Sequence, residues 1–350
     1  MNITGEFSLV VDENLAPQRL DQYLSGRDGF PSRSQLKQLL RRIELNGNPA
    51  KLSAQVSAGD RVSGVVEPPV QPDCIPEPLR AEILYEDDDV VVVNKPPGMV
   101  VHPAHGNPDH TLLNGLLGHV SGLQERFQQA GDGYAAESAA VRPGIVHRLD
   151  KDTSGVLIAA KHPAAHALLS QQFADRQVGK LYLAVVKGRP RNPEGELQSR
   201  ILRDPRNRKR FCAGTTGGKP AVTRYRTVAS AEFGRQLVSL ASLYPMTGRT
   251  HQLRVHMQWI GCPILGDPLY GRRSAAMSDG LMLHATVLEL QLPNGKPARF
   301  YAPLPEHWQQ LLTAFNDASA HQGSAVHPED RDWCAAQLRS LSADREPAAQ

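Results

Sequence analysis

Apolar positions recur along this chain at two periods, and the change from one to the other marks its elements. Near the start Leu20 and Leu24 stand four apart behind Pro17, the spacing of a short helix with proline in its first turn. A second helix is expected from Ser32, where Gln35 three residues on completes a capping-box pattern. Leu36, Leu39, Leu40 and Ile43 supply its inward side, and Arg33, Lys37 and Arg41 recur every four residues opposite. Asn46-Gly47 and Gly59-Asp60 mark turns, the second before Val62, Val65 and Val66. Further on, residues 81–85 and 90–93 read as strands paired about an acidic turn, and 155–160, 181–186 and 221–225 as further strands. Residues 163–173 read as a helix with proline at its start. Strand runs without a long helix after each predict an α+β fold. Its large part is a mixed, mostly antiparallel sheet with flanking helices, preceded by a small α/β unit.

Proline sharpens the domain boundary. Pro68, Pro69, Pro72, Pro76 and Pro78 crowd one short stretch and bias it toward an extended, semi-rigid linker. The expected organisation is a small unit over 17–67, a linker over 68–80, a large unit over 81–316 and a poorly packed tail over 317–350. The tail is so read because it has few large apolar residues and more acids than bases.

Composition adds exclusions. Lys and Arg total 39 against 36 Asp and Glu, a net charge of +3, which excludes a histone-like polycation but not a local basic face. Two such faces stand out: the Arg33, Lys37, Arg41 series, and a run holding Arg200, Arg203, Arg206, Arg208, Lys209 and Arg210 with only Asp204 against it. The second reads as a phosphate-binding loop. No apolar run approaches the roughly 20 residues that cross a bilayer, and the first six residues lack the pattern of a secretory signal. Four scattered cysteines without a Cys-x-x-Cys pair point to reduced thiols in the cytoplasm and to no zinc site. No Gly-x-Gly-x-x-Gly or P-loop follows a strand, so no nucleotide cofactor is expected.

Three strings concentrate the chemistry. In His147-Arg148-Leu149-Asp150-Lys151-Asp152-Thr153-Ser154-Gly155, Asp150 stands at a turn before an apolar strand. A carboxylate there can be a nucleophile, a metal ligand, a general base or a cap. The nucleophile loop of haloacid-dehalogenase phosphohydrolases looks superficially alike, but it needs threonine where Ser154 stands. In the second string Tyr182 shares a strand face with Lys180 and Ala184 and offers a flat ring for stacking on a base. The third, Gly248-Arg249-Thr250-His251-Gln252-Leu253-Arg254-Val255-His256, if helical, puts Arg249 and His256 near one face and stacks Thr250 and Arg254 four apart. Its arginine forks suit a carboxylate or a phosphate, and its two histidines lack the glutamate frame of a zinc motif.

In this order the strings resemble the RluA-type pseudouridine synthases over about residues 80–310. Asn94-Lys95-Pro96-Pro97-Gly98 and Gly266-Asp267-Pro268-Leu269-Tyr270-Gly271 are similar to family strings as well, and both are read as structural. Val101-His102-Pro103-Ala104-His105-Gly106-Asn107, Arg203-Asp204-Pro205 and Gly218-Lys219-Pro220 resemble the RluD-like branch. Residues 17–66, through Arg19-Leu20-Asp21, Ser32-Arg33-Ser34, Asn46-Gly47 and Gly59-Asp60-Arg61-Val62, resemble the alpha-L RNA-binding domain of a small-subunit ribosomal protein. The resemblance implies an RNA pseudouridine synthase without cofactor or metal, acting on uridines in a structured hairpin of large-subunit ribosomal RNA, free or in a pre-ribosomal particle. It makes Asp150 the nucleophile, Tyr182 the ring that stacks on the target base and helps move its proton, and Arg254 the partner that aims Asp150. Arg148 would enter the RNA stack when the base is flipped out. Arg249, Arg33, Lys37, Arg41, Arg206 and Arg208 would contact RNA, and His147 would be structural. A non-catalytic RNA-binding ribosome assembly factor is the alternative.

Overall fold

The computed structural model describes residues 5–13, 16–31, 33–67, 74–104, 106–130, 142–271, 280–320 and 326–342. The cap expected at Ser32, the prolines Pro68, Pro69 and Pro72, His105, and residues 321–325 and 343–350 lie outside them. The chain divides into two compact units, Met1–Asp73 and Cys74–Gln350.

The first unit contains β1 (Gly5–Val10), β2 (Gln18–Arg19), α1 (Leu20–Ser25), α2 (Arg33–Leu39), β3 (Leu40–Leu45), β4 (Asn48–Pro49), β5 (Gln55–Val56) and β6 (Arg61–Val66). Its sheet runs β1-β6-β3-β4. Leu20, Leu24, Leu36, Val56, Val62 and Val66 are buried at its centre, and Phe7 meets Phe30 edge to face at 5.1 Å. Each such side chain contributes about 1.5–3 kcal/mol by leaving water. Two expectations are corrected here. The unit starts before residue 17, because β1 pairs along its whole length with β6, a contact between strands more than fifty residues apart. Arg41 is not on a helix with Arg33 and Lys37: α2 ends at Leu39, and Leu40 pairs with Val66, so sheet pairing overrides helical spacing.

The second unit is a ten-stranded sheet. Its first strands are β7 (Glu82–Glu86), β8 (Val90–Lys95), β9 (Ser154–Ala160) and β10 (Gly179–Lys187). β11 (Glu194–Arg203), β12 (Phe211–Gly214), β13 (Lys219–Phe233) and β14 (Gln236–Pro245) follow, then β15 (Leu283–Gln291) and β16 (Pro297–Tyr301). The helices are α3 (Leu112–His119), α4 (Leu123–Gln129), α5 (Pro163–Ala174), α6 (Gln252–Trp259), α7 (Gln309–Ala320) and α8 (Arg331–Ser342). The order is β12-β11-β13-β14-β10-β15-β9-β8-β7, with β16 also on β15. Every pairing is antiparallel except β15 with β9, so the α+β, mostly antiparallel architecture holds. That parallel contact explains Gly155: its φ is +114°, and a Cβ there would stand 2.2 Å from the Ala285 carbonyl oxygen. Only glycine allows the approach, and it fixes where the chain enters β9 just after Asp150.

The linker and tail also need correction. Residues 74–80 belong to the second unit: Glu77 N–H donates to the Asn114 carbonyl, and its carboxylate takes the His110 backbone N–H at 3.0 Å and ring Nδ1 at 2.7 Å. The tail holds α8, whose Cys334, Leu338 and Leu341 are buried against Leu181, Tyr244 and Val287. Its apolar residues are few, but they fall on one helical face, which composition alone does not register.

Candidate active site

A cleft of about 450 Å³ between β10 and the segment leading into α6 is lined by Asp150, Tyr182 and Arg254, together with Arg148, Arg249 and His251. Asp150 opens a turn closed by the Thr153 N–H on its carbonyl at 3.1 Å. Lys95, wholly buried at the end of β8, secures that turn. Its ammonium donates to the carbonyls of Pro96 at 2.8 Å, Met99 at 2.9 Å and Lys151 at 3.0 Å, one acceptor for each N–H. Burial pulls its pKa down to about 7, against the charges of Asp152 and Asp150.

The Asp150 carboxylate is one-fifth exposed, and its Oδ2 accepts from Arg254 Nη1 at 3.2 Å. Arg254 is only 4% exposed and gives Nε and Nη2 to the two oxygens of Asp267, at 2.7 and 2.9 Å. Asp267, with no exposure, also accepts the backbone N–H groups of Leu269 and Tyr270. The guanidinium plane is thus set by Asp267, and its remaining nitrogen is aimed at Asp150. Burial works against the Arg254 charge, but the hydrogen bonds and charges of Asp267 and Asp150 outweigh it and lift its pKa above the ordinary arginine value. Gly266 permits the turn, with φ +70° and room only for hydrogen beside the Gly280 carbonyl.

A polar net seats α6. The Gln252 amide donates to the Val222 carbonyl and to Thr223 Oγ1, both at 2.9 Å, while its oxygen accepts from Thr247 Oγ1 and the Arg249 N–H. His256 bonds to Thr223 Oγ1 and Ser199 Oγ, each at 2.9 Å. His251 enters the helix with φ 57°, a left-handed conformation that costs a non-glycine residue about 1–3 kcal/mol. Because α6 begins only at Gln252, Arg249 does not share its face as the helical reading expects; its Nε donates to the Pro220 carbonyl at 3.0 Å.

Tyr182 pairs with Leu243 on β14 and Ala285 on β15, where the register shifts between Leu181 and Tyr182. Such a bulge re-aims a side chain. Burial and the Asp150 charge raise its phenol pKa, so it is a neutral ring with a proton to donate, ill suited to act as a phenolate base at neutral pH. His147 accepts the Ile158 N–H on Nε2 and stacks on Phe173 at 4.5 Å; burial pushes its pKa down to about 3, which keeps it neutral. Arg148 is exposed at the cleft.

The other expected RNA contacts are scattered. Arg206 and Arg208 are exposed, with no ion pair among the described residues, whereas Arg200 and Arg203 belong to β11 rather than to a loop. Arg200 is spent on the Gly217 and Gly218 carbonyls, and Arg203 lies over Phe211 at 5.1 Å. In the first unit Arg33 pairs with Asp21 at 2.7 Å and Arg41 with Glu67 at 2.5 Å, while Lys37 is exposed. Sequence reasoning missed the roles of Lys95, His251, Asp267 and Tyr270 around Asp150. Lys95, Asp267 and Tyr270 lay in strings read as structural, and nothing local in a Gly-Asp-Pro turn marks its aspartate as the partner of an arginine on a separate helix. Among the described residues no group of three or more His, Cys, Asp or Glu could hold a metal ion, and no helix is long and apolar enough to cross a membrane.

A family model described as RNA pseudouridylate synthase matches residues 89–259. An uncharacterized RNA pseudouridine synthase, YlyB of Bacillus subtilis, is 38% identical over 311 residues, which span 88% of this chain and 97% of that one. A protein of Borreliella burgdorferi named ribosomal large subunit pseudouridine synthase D is 41% identical over 306 residues, 85% of this chain and 89% of that one. One of the same name from Xylella fastidiosa is 39% identical over 328 residues, 89% of this chain and 92% of its own.

Proposed function

The chain belongs to the RNA pseudouridylate synthase family, enzymes that isomerise uridine to pseudouridine in RNA, and from that premise we propose that it acts on large-subunit ribosomal RNA with Asp150 as nucleophile. The observation that carries the residue assignment is the open carboxylate of Asp150, held at 3.2 Å by an arginine that buried Asp267 immobilises. The ribosomal substrate is taken from the names of the relatives from Borreliella burgdorferi and Xylella fastidiosa.

The isomerisation balances within one nucleotide. The bond from ribose to nitrogen one breaks, the base turns, a bond from ribose to carbon five forms, and the proton on carbon five leaves as nitrogen one gains one. A carboxylate suits this because it can form and release an adduct. Tyr182 stacks on the flipped base as a neutral ring. Arg148, exposed at the cleft mouth, fills the gap the base leaves in the RNA. Arg249, Arg206, Arg208 and Lys37 contact phosphates. Arg33 and Arg41 do so while sharing their charge with Asp21 and Glu67, which weakens their grip. The setting is the cytoplasm, and the target is a structured hairpin, free or in an assembling particle.

The test is a carbodiimide and primer-extension map of large-subunit RNA from cells with and without this gene. Loss of one or more stops, restored by the wild-type gene and not by Asp150→Ala, supports the reading. Unchanged stops would remove the substrate, and restoration by Asp150→Ala would remove the nucleophile.

A further inference from the structure

Of the titratable side chains that line the cleft without a part in the proposed chemistry, His251 lies beside Asp150. His251 is 16% exposed, its Nδ1 is 2.9 Å from the Tyr270 hydroxyl, and its Nε2 is 3.9 Å from Asp150 Oδ2. The Tyr270 oxygen already accepts the Phe211 N–H at 2.8 Å, so its own proton remains to be placed. Given to His251 Nδ1, that proton is satisfied, and Nε2 carries an N–H toward the carboxylate. The opposite tautomer strands the phenol proton and turns an imidazole lone pair on a negative oxygen, which is repulsive in a cleft of low dielectric. Tyr270 keeps its proton, since burial raises its pKa. Burial lowers the pKa of His251; Asp150 and Asp267 oppose that shift, while Arg254 and Arg148 reinforce it, and the ring stays neutral.

We propose that His251 is a positioning residue, fixed by Tyr270 as the Nε2–H tautomer, so that its N–H and Arg254 Nη1 bracket Asp150 Oδ2 and leave Oδ1 to attack. The inference rests on Asp150 as the nucleophile. At 3.9 Å the contact is not yet a hydrogen bond. Catalytic hydrogen bonds commonly tighten only once substrate is bound, and this contact is expected to close in the same way. The left-handed entry to α6 acquires a reason as well: it places the ring between Tyr270 and Asp150.

The tautomer can be read directly by nitrogen NMR of the histidine ring in the full chain. The wild type is expected to show a protonated Nε2 and a bare Nδ1, and Tyr270→Phe a mixture; a protonated Nδ1 in the wild type overturns the proposal. Kinetics supply the second test. An amide in His251→Gln reaches the place of Nε2, whereas His251→Asn tolerates the positive φ but reaches only the place of Nδ1. The Gln variant should keep kcat within about fivefold and the Asn variant should lose about 10–100-fold, both at unchanged KM, as expected when only the nucleophile is misplaced. Equal kcat for the two overturns the role of His251. If Asp150→Ala is inactive alongside that equality, the nucleophile stands and only this inference falls; if Asp150→Ala is active, both fall.

Discussion

The two units each contain a cluster of three charged groups, and the clusters are mirror images. In the second unit one buried arginine, Arg254, lies between two aspartates, the wholly buried Asp267 and the partly open Asp150. In the first, one aspartate, Asp21, 3% exposed, lies between two arginines, Arg19 at 42% and Arg33 at 50% exposure. Burying the central ion makes it depend on its partners, and the outer groups keep whatever freedom solvent gives them. The first arrangement therefore presents a held carboxylate to a cleft, and the second presents half-neutralised cations to solvent. Arg206 and Arg208, exposed and without an ion pair among the described residues, extend the series to full freedom.

The strongest attempt to break this comparison is Arg254→Met, which leaves Asp267 buried without its cation. Removing one partner of a buried pair costs about 3–5 kcal/mol, so urea unfolding should shift by that amount and pseudouridine formation should fall at least about 100-fold. Asp21→Asn should cost less, about 1–3 kcal/mol at pH 7, because two exposed arginines can turn to water. Its pH dependence sharpens the contrast. The hydrogen bond from Arg19, opposed by burial and aided by Arg33, holds the Asp21 carboxyl well below the usual carboxylate range. A lowered folded pKa means the unfolded chain takes up the proton first, so this stabilisation is complete above about pH 5 and fades as the pH falls below about 4. Urea melts of wild type and Asp21→Asn should therefore differ at pH 7, and the difference should narrow, without vanishing, between about pH 4 and pH 3. Arg33→Met should cost under about 1 kcal/mol, since Arg19 still holds Asp21 at 3.0 Å. A loss equal to that of Arg254→Met would erase the distinction between the clusters. Least of all, Arg206→Ala with Arg208→Ala should leave stability within about 0.5 kcal/mol and flatten the salt dependence of RNA binding by about one to two in log–log slope.

What could be read from the chain alone follows from how local each signal is. The strands around Val90 and Leu181, and the turn after Asp150, are written in contiguous residues. A four-residue repeat of cations looks helical, whereas Arg41 lies in β3, where the register against β6 shifts between Leu40 and Arg42. The helix Arg331–Ser342 is not legible in composition, because its few large apolar residues matter through their spacing. In the site, Asp150, Tyr182 and Arg254 stand in distinctive strings, and the fold brings them to one cleft. Asp267, Tyr270 and His251 gain meaning only in three dimensions, where the carboxylate of one fixes the arginine of α6 and the phenol of another meets the imidazole of the third.

The proposed chemistry depends on the charge of one open carboxylate, and Asp150→Asn removes that charge while keeping its shape. Purified wild type and variant are to be mixed with large-subunit ribosomal RNA, with pseudouridine formation, RNA affinity and thermal unfolding measured on the same samples. No pseudouridine above background is expected from the variant, with RNA affinity and stability within about twofold and about 1 kcal/mol of wild type. Conversion at about a tenth of the wild-type rate or more would contradict that chemistry.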